Sequence, residues 1–219
     1  MVSVGAWAAR RRLAEGLAEM VTDLNHLPVA APPWRACTLR ASAPTSYLIR
    51  LRYGDARVSW IGTADDANQC VPTTNGTLRT WSYIGDTVGS AYQEGRWPSL
   101  TPPDECEPGP GRIGQDRQLV PEGSIGLTVC GLSVKAPQRK SHGADTAKKV
   151  AAEIDSLRAE RFDGACRPGR GSAIRLVFRY AQGPPAAVTV WGTECGMENT
   201  FLRGALSAEL MDELSGLLD

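Results

Sequence analysis

Only two histidines, His26 and His142, occur in the 219 residues, and they lie far apart. A histidine-dependent triad therefore has few possible members, and no Gly-x-Ser-x-Gly elbow offers a serine nucleophile. Lysine is almost as scarce, with 4 Lys against 20 Arg, and the formal net charge is zero. Composition thus implies no basic face, which argues against nucleic acid as a partner. No short Cys-x-x-Cys or His-x-x-x-His knuckle is present, so structural zinc and dithiol redox chemistry have no sequence support. The twelve-position calcium loop is also missing, and Asp65, Asp66 and Asn68 read as a solvated loop. Glycine-rich basic stretches at 107–112 and 167–171 match no phosphate-binding fingerprint. They read as turns, with Arg167 and Arg170 the only hint of an anion site. No metal or cofactor is expected.

What the chain does have is six cysteines, an even number, and the nearest two, Cys106 and Cys130, are 24 residues apart. Structural disulfides are the expected reading, and they point to an oxidising, extracytoplasmic compartment. Of the 15 possible connectivities, sequential pairing is favoured: Cys37–Cys70, Cys106–Cys130 and Cys166–Cys195, each closing one hairpin. Each closed loop would contribute about 3–4 kcal/mol by restricting the unfolded chain. The first residues, an apolar stretch running into Arg10-Arg-Arg12, look like the tail of a membrane or signal anchor. Contact with a membrane is expected only through such an anchor continuing upstream; an amphipathic helix at a true N-terminus is the alternative.

Cys37 and Cys70 bracket strand patterns at 47–53 and 57–61, and Cys166 and Cys195 bracket similar ones at 173–180 and 187–191. An Asn-x-x-Leu-Arg tail follows each second cysteine, at 75–79 and 199–203. Leu13, Leu17, Met20, Val21 and Leu24 repeat at helical spacing, as do Val150, Ile154 and Leu157, and the leucines after a Ser207 N-cap. These patterns predict an α+β fold of two duplicated helix–hairpin–helix units with a small central hairpin at 117–129. The expected divisions are 1–96, 97–143 and 144–219.

Residues that could carry chemistry are few. Asp65-Asp66, Asp104-Glu105 and Glu194 are acidic, but adjacency in a loop does not set the separation that glycoside hydrolysis needs. Trp60 and Trp191 hold matching places in the two hairpins, as do Tyr53 and Tyr180, and are expected in the cores. Trp81, Tyr83, Tyr92 and Trp97 have no counterparts in the second half, which makes them the candidate contact residues for a ligand or partner.

The segment 117–130, Arg-Gln-Leu-Val-Pro-Glu-Gly-Ser-Ile-Gly-Leu-Thr-Val-Cys, resembles a stretch of exported actinobacterial proteins with paired Cys-bounded hairpins. The resemblance implies secretion or membrane anchoring and carries over no activity. The expectation is a non-enzymatic module binding an envelope ligand or protein. A hydrolase of envelope polymers acting through Asp65, Asp66 or Glu194 is one alternative. A structural subunit of an envelope complex is the other.

Overall fold

The computed structural model describes residues 10–29, 40–102, 104–132, 138–161, 173–192 and 195–219. Two antiparallel sheets and four helices occur among these residues.

The first sheet joins β1 (Thr45–Arg52), β2 (Val58–Asp65), β3 (Thr73–Thr74) and β4 (Arg79–Thr80), in that order. Alternation along β1 dictates its two faces. Tyr47, Ile49 and Leu51 point inward, and pack on an apolar cluster of Met20, Leu27, Ile84, Val88, Ala91, Trp97 and Leu100. Met20 enters that cluster from helix α1 (Leu17–Asn25), Val88 and Ala91 enter from α2 (Gly85–Glu94), and the segments next to the helices supply the rest. A turn at Gly54-Asp55 fixes the hairpin register, pairing Leu48 with Gly62 and Arg50 with Trp60. The Asn75 side chain then folds the chain back, accepting from the Thr77 and Leu78 N–H groups, and so joins β3 to β4.

The second sheet has seven strands: β5 (Gly126–Gly131), β6 (Arg139–His142), β7 (Ala159–Arg161), β8 (Ala173–Arg179), β9 (Ala186–Trp191), β10 (Met197–Glu198) and β11 (Leu202–Gly204). Their order is β6-β5-β8-β9-β10-β11-β7. Leu127, Val129, Leu176, Phe178, Val188 and Val190 face a core shared with helices α3 (Ala144–Ser156) and α4 (Ala208–Gly216). Val150 and Ile154 enter it from α3, and Leu214 enters from α4. Ser207 caps α4 as expected, accepting the Leu210 N–H at 3.2 Å.

This arrangement corrects the expected pair of duplicated helix–hairpin–helix units. The two sheets have four and seven strands, and no separate central hairpin exists among the described residues. Residues 117–120 form turns; β5 pairs instead with β6 on one side and β8 on the other. The reason lies in β5 itself. Gly126 through Cys130 are buried on both faces, so the strand needs neighbours on both edges. The polar stretch Arg139–His142 supplies one of them.

Cys106 and Cys130 form a disulfide. Cys70 and Cys195 are also disulfide-bonded, whereas their expected partners, Cys37 and Cys166, lie outside the described residues. The apolar start of the chain lies there too, up to residue 9. No described helix is long and apolar enough to cross a membrane.

Candidate functional site

The four aromatic residues singled out from the sequence do not share a pocket. Trp97 belongs to the first core, 6% exposed, with its indole N–H donating to the buried Asp23 carboxylate at 2.9 Å. Tyr83 is half-buried; its hydroxyl donates to Asp65 Oδ1 at 2.6 Å and accepts the Asp66 N–H at 3.2 Å. Burial, and then the bond to Asp65, push the Tyr83 phenol up to about 12. Tyr92 lies on α2 with its ring 5.9 Å from that of Tyr47. Only Trp81 reaches the outer side of the first sheet, where the Arg79 guanidinium sits 5.5 Å from its ring.

That outer side is where the structure gathers exposed recognition chemistry. The register places Arg52 beside Val58, Arg50 beside Trp60, and Leu48 beside Gly62, with Thr74 and Arg79 continuing the last row. Trp60, expected in the core, is 46% exposed, and Leu48 and Val58 are 41% and 39% exposed. The Arg50 guanidinium lies over the Trp60 ring at 5.5 Å, a cation–π pair. Tyr53, also expected inside, is exposed at the hairpin end under Arg57. Gly62 leaves a dip between Leu48, Trp60 and Thr74: among the described residues a Cβ there would meet only the Thr74 carbonyl oxygen, at 4.0 Å. A glycine in a strand with space above it admits close approach by another chain or ligand. Among the described residues, none of Arg50, Arg52 and Arg79 joins an ion pair.

The outer side of the second sheet is covered. The 104–115 loop crosses it, tied by the disulfide from Cys106 to Cys130 of β5. Glu105 accepts from the Thr128 hydroxyl at 2.6 Å, Arg175 donates to the Cys106 carbonyl, and Gln115 donates to the Ala187 carbonyl at 3.1 Å. Arg112 continues the strap, stacked 3.9 Å from the Tyr180 ring and bonded to the Gln182 and Pro184 carbonyls. Burial lowers the pKa of both Arg175 and Arg112 and raises that of Tyr180. Between strap and strands lie open cavities of about 180 and 170 Å³. The first is lined by Glu107, Arg175, Thr189 and Glu198. Glu198 is already engaged there, accepting from the Trp191 indole at 3.1 Å and from Arg203 at 2.9 Å.

The acidic candidates have structural work. Asp66 is buried and accepts from Asn68 N, Cys70 N and the Asn68 amide. These bonds, Asn68 N–H foremost, hold its carboxyl below the usual range. Asp104 pairs with Arg139. Glu194, Arg167 and Arg170 lie outside the described residues. His26 bonds the Thr22 carbonyl at 2.7 Å at the end of α1, and His142 bonds the Leu217 carbonyl at 2.9 Å, tying β6 to the end of α4. Among the described residues no group of three His, Cys, Asp or Glu side chains could hold a metal ion.

Trp81 was singled out from the sequence, whereas the exposed Trp60, Arg50 and Leu48 of the same sheet were not. The signal was available: Leu48, Arg50 and Arg52 alternate as a wet face, and the Gly54-Asp55 turn sets Trp60 across from Arg50. No family model, curated protein or solved structure matches this chain.

Proposed function

We propose that this chain is a non-enzymatic, extracytoplasmic binding module of the cell envelope that engages its partner through the outer face of the first sheet. One observation carries the reading: Trp60 is 46% exposed beneath Arg50 and beside the dip at Gly62. Tryptophan and arginine are the residues most enriched at interface hot spots, because both give large contact area with specific geometry. Three arginines on one face that join no ion pair among the described residues favour a partner of negative charge. The disulfides support an oxidising compartment.

Poly-L-glutamate is a suitable first probe, with binding followed by tryptophan fluorescence. The wild-type chain is expected to bind it in a salt-dependent way, and Trp60→Ala and Arg79→Glu to weaken binding while the circular dichroism stays unchanged. Binding unaffected by Trp60→Ala would place the contact elsewhere.

A further inference from the structure

Resting on that reading, we infer that the free edge of β1 takes up an extended acidic segment of a partner protein as an added antiparallel strand. The other sheet edges are short: β4 has 2 residues, β7 has 3 and β6 has 4. Shortness is one way proteins prevent edge-to-edge pairing. β1 has 8 residues, and among the described residues no strand pairs with its outer side. Tyr53 N–H donates to the Arg57 carbonyl at 3.0 Å. The alternation of an antiparallel ladder then turns the N–H and C=O groups of Ser46, Leu48, Arg50 and Arg52 away from β2. Those four residues also carry exposed side chains. The groups free to pair and the groups free to select therefore belong to the same residues.

Charge chooses the occupant. A strand laid along this edge would set its own alternate side chains beside Arg52, Arg50, Leu48 and Ser46, so acidic, acidic, apolar and small residues fit in that order. Its remaining side chains would fall beside Tyr47, Ile49 and Leu51, partly buried against the first core, and apolar residues fit there. A second copy of β1 fits poorly, because its Arg50 and Arg52 would bring four arginines to one face with no acid between them.

The test uses a synthetic nine-residue peptide alternating Glu with Val, and a control with Lys in place of Glu. Binding is measured by calorimetry and by amide chemical shifts. Leu48→Pro removes an outward N–H that β2 does not use, a substitution edge strands tolerate. The acidic peptide is expected to bind, the Lys control not to bind, and Leu48→Pro to weaken binding by about tenfold or more. Arg50→Glu with Arg52→Glu should reverse the preference toward the Lys peptide; both positions are exposed, so this variant holds the test should Leu48→Pro fail to fold. Binding kept by Leu48→Pro but lost by Trp60→Ala overturns strand addition and leaves the face reading intact. Binding lost by neither overturns both. Absence of peptide binding, or a concentration-dependent dimer abolished by Leu48→Pro, overturns the acidic partner, the latter in favour of a second copy.

Discussion

Two glycines of α2, four residues apart, should respond to alanine in opposite directions. Gly85 opens the helix where it crosses the end of β2. A Cβ built on it would lie 2.0 Å from the Ala64 carbonyl oxygen, 2.6 Å from its carbon and 2.8 Å from Asp65 Cα. Carbon and oxygen do not ordinarily approach closer than about 3.3 Å, so the helix end would have to retreat by roughly 1.3 Å. The obstacle is the backbone of a paired strand, which cannot rotate aside. A retreat larger than about 1 Å forfeits more than about half of the dispersion well at each contact it opens, and Ile84, Val88 and Ala91 all sit in that contact with the first core. Overpacking costs about 1–3 kcal/mol, and a backbone obstacle places Gly85→Ala at the upper end. The gain in helix propensity, at most about 1 kcal/mol, is small in the first turn. The expected net loss is about 2–3 kcal/mol.

At Gly89 the nearest atom is the Tyr47 hydroxyl, at 3.1 Å, followed by Asp65 Oδ2 at 3.7 Å. Both are side-chain tips that can yield a few tenths of an ångström. Helix propensity should then dominate, and Gly89→Ala should stabilise by about 0.5 kcal/mol. Urea denaturation without reductant, followed by circular dichroism and tryptophan fluorescence, measures both. Changes of the same sign, or Gly85→Ala within about 0.5 kcal/mol of wild type, would refute the claim that close helix–strand approach explains the glycine.

A second contrast concerns the two Asn turns. Asn199 is buried, its amide donating to the Gln115 carbonyl at 2.9 Å and the Leu119 carbonyl at 3.3 Å, while its oxygen accepts from Phe201 N at 2.7 Å and Leu202 N at 2.9 Å. Asn199→Ala strands those groups away from water and should cost about 2–4 kcal/mol, whereas the exposed Asn75→Ala should cost less than about 1 kcal/mol; denaturation midpoints decide. Tyr83 predicts an alkaline slope. Its folded pKa, about 12, exceeds the ordinary 10.0, so its contribution is fully present below pH 10 and is lost as pH rises toward 12. Tyr83→Phe should flatten the fall in the urea midpoint over that range, and an unchanged slope would rule out the buried Tyr83 phenol as its source.

Helices were legible where their apolar spacing is local: α1, α3 and α4 fall where Met20, Val150 and Leu214 recur. The β1–β2 hairpin was legible for the same reason, alternation plus a turn. Strand partnership was not. Nothing near Gly126–Gly131 says that its neighbour is Ala173–Arg179 rather than residues 117–120. Burial on both faces is what decides, and burial is a property of the assembled sheet. The placement of Trp60 was illegible for a related reason. Trp60 and Trp191 hold matching places in their hairpins, yet Trp191 is half-buried with its indole bonded to Glu198, and Trp60 faces solvent. What covers a strand is decided by a distant loop, here one anchored through Cys106.

The arginines of β1 admit two roles that look alike in a static structure. Charges on an exposed edge strand prevent aggregation, and lysine or arginine serves there whatever the partner. Recognition also uses charge, but only one sign of it. The distinction is experimental because the first role is indifferent to sign. Arg50→Glu with Arg52→Glu keeps two charges on an exposed edge, so a guarding role predicts an equally soluble monomer and no change in what it binds. A recognising role predicts the same solubility with acidic binding gone. The geometry favours the second. Guarding the edge needs no exposed indole under Arg50 and no open dip at Gly62 one row away, since both enlarge the sticky surface that a guard is meant to reduce. A surface that joins an exposed tryptophan to an edge and arginines with no partner among the described residues is costly to leave open unless something occupies it.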